Sequence, residues 1–275
     1  MKVALIGVGR WGKVLQGELS KLTEIKYACD SKFDLNQVWN DSEVEAIFIA
    51  TPTQTHFDIA VKALESSKHV FLEKPGTDSS EKLEKLVKLA KEKNLKFAIG
   101  YEFPHNPASK KLKELVSGKE VKSIHFEWFK WGTFKDDAVM HLLCHDISIM
   151  KYLGFEDLSP INYQQTRVIS DTDIISIKFK NTQGAHIKSV INRVNPIKQK
   201  TITVLLDNGG YIVSNNDLFS INTDAQSLDK IELPEITPVS AELSDFLNSI
   251  KENREPQSSG QFALEVFKIV EQVRT

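Results

Sequence analysis

Cysteine is nearly missing: two residues, Cys29 and Cys144, in a chain of 275. Two thiols cannot staple a fold of this size, so the expected compartment is the reducing cytoplasm. No apolar run approaches the ~20 residues that a membrane helix needs. An excess of one charge sign is missing too, since 35 Lys and Arg meet 37 Asp and Glu for a net −2. That balance excludes the electrostatic footprint of a general nucleic-acid or acidic-membrane binder. The opening MKVALIGVG turns to glycine where a secretory leader would stay apolar, and is expected to be mature protein. What remains is 41% hydrophobic and 26% charged, a globular composition long enough for two domains.

The first third alternates short apolar runs with helical periods. Lys2–Ile6, Ile25–Cys29, Ala46–Ala50, His69–Leu72 and Lys96–Ile99 read as strands. Arg10–Leu19, Phe57–Leu64 and Leu83–Ala90 read as helices, with Leu83, Leu86, Val87 and Ala90 on one face. Such alternation with nearly continuous apolar strands predicts a parallel sheet covered on both sides. Near Gly118 the pattern changes. Ser123–Trp131, Ile174–Lys180 and Thr201–Leu206 read as strands, the last two alternating apolar and polar residues strictly, as in a sheet with one buried face. Asn208-Gly209 signals a tight turn before Gly210–Val213. One helix is expected over Ala138–Leu153, and terminal helices over Ala241–Ile250 and Phe262–Val273. The fold class is α/β followed by α+β.

Gly7-Val8-Gly9-Arg10-Trp11-Gly12 fits G-x-G-x-x-G between a strand and a helix. Gly7 permits the turn, Gly9 lets backbone approach a pyrophosphate, and Gly12 lets helix and strand pack closely. Free N–H groups at the helix start would face the phosphates. Asp30 closes the second strand, where a carboxylate accepts bonds from ribose hydroxyls and repels a 2′-phosphate. That favours NAD, with NADP left open because Lys32 is close by. Ala50-Thr51-Pro52-Thr53-Gln54-Thr55-His56 forms a turn in which Thr53 or Thr55 can cap the next helix. A histidine such as His56 is by itself more often structural than a ligand. Glu73-Lys74-Pro75 ends another strand, where a lysine projects into the crevice in which ligands of parallel sheets bind.

The glycine motif, ATPTQTH, KHVFLEKP and the later His145-Asp146, in that order and spacing, resemble the glucose–fructose oxidoreductase, inositol dehydrogenase and rhizopine-catabolism (Gfo/Idh/MocA) family. The resemblance runs over most of the chain. It implies an NAD(P)-binding Rossmann domain over residues 1–118. An α+β domain with a large, mostly antiparallel open sheet follows over 119–275, for substrate and oligomerisation, and the C-terminal helices can pack back on the first domain. It implies cofactor contacts from Gly7, Gly9, Arg10, Trp11, Gly12, Asp30, Thr51, Pro52, Thr53, His56, Glu73 and Lys74. Lys74 then resembles the lysine that contacts nicotinamide and substrate hydroxyl, before a proline whose peptide is often cis. His145 matches the histidine that serves as acid/base, work suited to its reference pKa of ~6.5.

Two departures stand out. Where many sugar-oxidising members carry Asp four residues before that histidine, this chain has His141. At helical spacing His141 shares a face with His145 and can bond substrate or relay a proton. No third ligand completes a metal site there, so none is expected. Glu102-Phe103-Pro104-His105 replaces the usual Asn-Arg-Arg-Phe. The implied activity is hydride transfer between nicotinamide and a carbinol carbon of a sugar, cyclitol or sugar nucleotide. An imine or enone reductase, or a non-catalytic cofactor-binding sensor, stands as the alternative. Leu205, Val190 and the aromatics of Phe126-Glu127-Trp128-Phe129 place apolar bulk on both sheet faces, which predicts a homodimer or homotetramer.

Overall fold

A computed structural model describes residues 1–274, which form two compact units. Unit one comprises 1–105 and 237–267; unit two comprises 106–236 and the rest of the C-terminus. The first break thus lies at 105–106 rather than at Gly118, because the helix Pro107–Val116 packs with strands of the second unit. The chain also returns to the first unit from Thr237.

Unit one holds a parallel sheet of β1 (Lys2–Ile6), β2 (Glu24–Cys29), β3 (Val44–Ile49), β4 (His69–Glu73) and β5 (Phe97–Gly100), in the order β2-β1-β3-β4-β5. Between them run α1 (Arg10–Leu22), the short α2 (Asn36–Trp39), α3 (Thr53–Glu65) and α4 (Ser80–Glu92). All five strands point the same way, so the loops after β1 to β4 gather at one edge, the edge where such sheets bind ligands. Val3, Leu5, Ala46, Phe48 and Phe71 of the sheet are buried against Leu15 and Leu19 of α1. The same core takes in Val239, Leu243, Phe246 and Leu247 from a helix near the C-terminus. Phe246 packs edge-on against Phe48 and Phe71, with ring centroids 5.5 and 5.6 Å away.

Unit two opens with α5 (Pro107–Val116), capped by Asn106, whose side chain accepts from the Ala108 N–H. Its sheet comprises β6 (Ser123–Trp131), β7 (Ser159–Thr166), β8 (Ile174–Lys180), β9 (His186–Asn192), β10 (Val194–Leu205), β11 (Gly210–Ser214), β12 (Asp217–Asn222) and β13 (Ser227–Ile231). The order is β13-β12-β11-β10-β6-β9-β8-β7, antiparallel except between β6 and β9. The expected Asn208-Gly209 turn joins β10 to β11, with Gly209 at φ +94°. The single helix expected over Ala138–Leu153 differs. A π-helical turn, Val139–Leu143, precedes α6 (Cys144–Tyr152). α7 (Pro238–Lys251) belongs to unit one, and α8 (Gly260–Arg274) follows it. Among the described residues no helix is long and apolar enough to cross a membrane.

Along the sheet Ile175, Ile177, Ile187, Ile191, Ile124, Phe126, Ile202 and Val204 point inward and are buried. Leu205 and Val190 lie on the opposite face, Leu205 exposed, while Phe126 and Trp128 share the inward face.

Candidate functional sites

In unit one, the β1–α1 connection is shaped by two glycines with no room for a side chain. A Cβ on Gly12 would stand 1.8 Å from the Gly7 carbonyl oxygen, and one on Gly7 would stand 2.6 Å from that of Ala50. Gly7 also takes φ +99°, a conformation that side chains resist. Gly9 is different: nothing lies within 4 Å of where its Cβ would be, so its outer side is open to a ligand. Gly9 caps α1 without any side-chain bond, and no acidic residue occupies the first turn. Its leading N–H groups are therefore oriented for a pyrophosphate. Arg10 and Trp11 open the helix on the exposed side, and Asp30 is exposed just past β2. These residues fit a dinucleotide.

Thr51 and Pro52 form the loop beyond β3, with Thr51 beside Gly7, and Thr53 opens α3. Thr55 donates from its hydroxyl to that of Thr51 at 2.8 Å, tying the first turn of α3 to the loop. His56, expected among the cofactor contacts, is buried instead. Its Nδ1 lies 3.0 Å from the Gly76 carbonyl and its Nε2 2.7 Å from that of Thr51. Burial lowers its pKa, and a neutral ring donates to one of the two carbonyls. His56 braces the β3 loop against the β4 loop, and protein groups occupy both its nitrogens.

Glu73 and Lys74 stand at the end of β4, and the Lys74–Pro75 peptide is cis. Lys74 is half-buried while Glu73 is buried. Burial raises the Glu73 carboxyl to about 7, helped by the charge of Glu102 and opposed by the Trp11 hydrogen bond and by Lys74. The glycine loop and the β4 loop therefore share a bond through Trp11. Glu242 of α7 joins this group unforeseen. Burial first, and then Glu73 and Glu102, raise its carboxyl well above the ordinary value. Its Oε1 has no hydrogen-bond partner among the described residues. Only the fold brings Glu242 near Glu73, because no local pattern marks a glutamate on a helix face as buried.

In unit two, His141 lies in the π-helical turn and His145 in the first turn of α6. In an α-helix four residues slightly exceed one turn; the wider π turn makes them fall short, so the shared-face argument loosens. His145 is buried and His141 half-buried. The His145 imidazole packs on the indole of Trp128, with centroids 5.6 Å apart.

The loop before these histidines hangs on one buried cation. Arg193 donates from Nη1 to the Thr133 and Asp136 carbonyls at 2.6 and 2.5 Å, and from Nη2 to Ser170 and Thr172. Asp173, 3.6 Å from Arg193, is wholly buried. Burial opposes its charge, yet the Ser170 hydroxyl and the N–H groups of Ser170, Ile169 and Val168 hold it below the usual carboxylate range. Thr172 in turn accepts from the Ala138 N–H at 3.2 Å, so this knot reaches the start of the histidine helix.

The glycine cradle at the edge of the parallel sheet fits a dinucleotide, and comparison with known proteins gives the class as a nicotinamide-dependent oxidoreductase. Residues 16–101 match the model of the Gfo/Idh/MocA oxidoreductase family, described by its NAD-binding Rossmann fold. The resemblance carried by the motifs is borne out, as are the enzyme class and the cofactor. The UDP-N-acetylglucosamine 3-dehydrogenase of Acidithiobacillus ferrooxidans is 26% identical over 85% of this chain and 79% of its own. Its solved structure superposes with a TM-score of 0.88 at 22% identity, covering 100% of this chain and 96% of that one. The 4-carboxy-2-hydroxymuconate-6-semialdehyde dehydrogenase of a Sphingobium species is 22% identical over 98% of this chain and 96% of its own. An Agrobacterium radiobacter oxidoreductase, solved with NAD+, L-tartaric acid and magnesium, gives a TM-score of 0.86 at 16% identity over 98% and 94%.

Proposed function

We propose that this enzyme oxidises a secondary hydroxyl of a sugar, cyclitol or sugar nucleotide, or reduces the matching carbonyl, and that it prefers NAD. The observation that carries the reading is the combination of an open Gly9 at the start of α1 with Lys74 just past β4, two strands from β1 at the same edge of the parallel sheet. Gly7, Gly9 and Gly12 form the cradle, and Asp30 receives the adenosine ribose. The nicotinamide ring supplies hydride acceptance when bound. Lys74 polarises the substrate oxygen, since an ammonium favours charge developing there. His145 takes the hydroxyl proton as carbon is oxidised, and packing against Trp128 limits how its ring turns. His141 bonds substrate as a neutral partner where a carboxylate would impose a fixed charge. The name of the Acidithiobacillus relative supports the sugar-nucleotide branch of this substrate class.

The test is nicotinamide reduction across a panel of sugars, cyclitols and UDP-sugars. Turnover should fall below detection in Lys74→Ala, and by about 10²–10⁴ in His145→Gln. Cofactor binding with no turnover on any member of the panel would leave a sensor, and wild-type rates in Lys74→Ala would remove the lysine from the mechanism.

The proposal includes a cytoplasmic homodimer, singly or as a pair of dimers. The sheet face away from the core carries Leu205 and Leu228, 38% and 55% exposed, beside half-buried Ile212, Phe219 and Ile221. An apolar face of this kind fits a two-fold self-contact. Light scattering that gives one 31.1 kDa chain at every concentration would refute it.

A further inference from the structure

Behind His145 lies a second cation that the expected catalytic set does not include. Lys200 of β10 stands directly opposite Trp128 of β6. Its Nζ sits 4.1 Å from the centre of the indole ring, whose neighbour is the His145 imidazole. The same Nζ is 3.8 Å from Oδ1 of Asp146, the residue next to His145. The other oxygen of Asp146 accepts from the Ser189 hydroxyl of β9 at 2.7 Å. Asp146 is 1% exposed and Lys200 9%.

An ion pair buried this deeply is seldom the most stable filling for its space, and two apolar side chains generally do as well or better. Its separation is also longer than a good charge-assisted hydrogen bond. The arrangement does have a geometric effect: an ammonium over an aromatic face favours one ring orientation. The opposite strand, the Asp146 carboxylate and the indole thus fix one another beside the imidazole.

We propose that Lys200 is a positioning residue for His145, acting through the indole of Trp128. The inference rests on the acid/base reading of His145 and extends it. The ammonium holds the indole against the imidazole and offsets the adjacent Asp146 carboxylate, which alone would favour a protonated ring, so that His145 stays ready to accept a proton. Other titratable groups on the facing elements are Cys144, Asp146 and His141 on its own helical segment. Lys130 follows two residues along β6 from Trp128, and β9 contributes Ser189, which does not titrate.

The experiment is an NMR titration of the histidine ring carbons, with the His145 signal assigned by its loss in His145→Gln. It is run in an Asp146→Asn background, which keeps an acceptor for Ser189 and removes the anion paired with Lys200. Adding Lys200→Met should raise the His145 midpoint by about one pH unit, the scale for a unit charge within ~10 Å at an effective dielectric of ~20. Lys200→Gln, a second neutral variant, should do the same, and Lys200→Arg should leave the midpoint in place. A midpoint unmoved by both neutral variants, or raised equally by Lys200→Arg, would overturn the inference. Turnover of His145→Gln is measured on the otherwise native enzyme. Full activity there would overturn the acid/base reading, while the titration reports on Lys200 regardless.

Discussion

Replacing Glu73 with Gln should flatten part of the pH dependence of stability. Glu73 is buried at the end of β4, and its carboxyl is raised from 4.5 to about 7. Between those values the folded chain binds more protons at this position than the unfolded chain does. Stability from this group is therefore complete below about pH 4.5 and is lost as pH rises towards 7. At ~1.4 kcal/mol per unit, the shift from 4.5 to about 7 amounts to roughly 3 kcal/mol at most. Glu242 titrates with the same sign and is coupled to Glu73, so Glu73→Gln also relieves part of its cost. The assay is urea unfolding followed by tryptophan fluorescence at several pH values from 5 to 8. Wild type should lose two to three kcal/mol more than Glu73→Gln across that range, on the order of the linkage above. Parallel curves for wild type and Glu73→Gln, within about 0.5 kcal/mol, would refute the reasoning.

Gly12→Ala should abolish cofactor binding and lower the melting temperature, because its Cβ would meet the Gly7 carbonyl at 1.8 Å; a variant that melts and binds like wild type would contradict so close an approach of α1 to the glycine turn. Arg193→Met should cost about 3–5 kcal/mol in chemical denaturation, the scale for stranding a buried charge, here Asp173. A loss under about 1 kcal/mol would show that the loops do not depend on the knot. Asp30→Ala should weaken NAD binding and narrow its advantage over NADP in titrations. A wild type that already prefers NADP tenfold, about 1.4 kcal/mol, would remove Asp30 as the determinant.

The nucleotide-binding half was legible because its signals are local. Continuous apolar strands such as Ala46–Ala50 and the spacing of Gly7, Gly9 and Gly12 declare their structure within a few residues. The second sheet was legible where strands alternate strictly, as at Ile174–Lys180, and less so at β12 and β13, short stretches of mixed polarity whose register is supplied by the strands they pair with. Contacts between residues far apart in the chain could not be read. Phe246 completes the aromatic group of Phe48 and Phe71, and Arg193 reaches back to Thr133, with no spacing rule to announce either. His56 shows the opposite failure, since a motif position suggested a ligand where backbone carbonyls claim both nitrogens.

The π-helical turn at Val139–Leu143 has a consequence for how this segment can change. Such a turn accommodates one residue more than the α-helix around it, as an insertion does when it is absorbed without disturbing the residues after it. Deleting Leu142 or Leu143 would let the helix run with α geometry throughout, leaving α6 and His145 in register. Everything before the deletion would swing by roughly 100° about the helix axis. His141 would then present its ring to a different neighbour while His145 kept its own. The direction in which His141 presents its ring can thus be re-aimed by the loss of a single codon, a smaller step than rebuilding the segment by substitution.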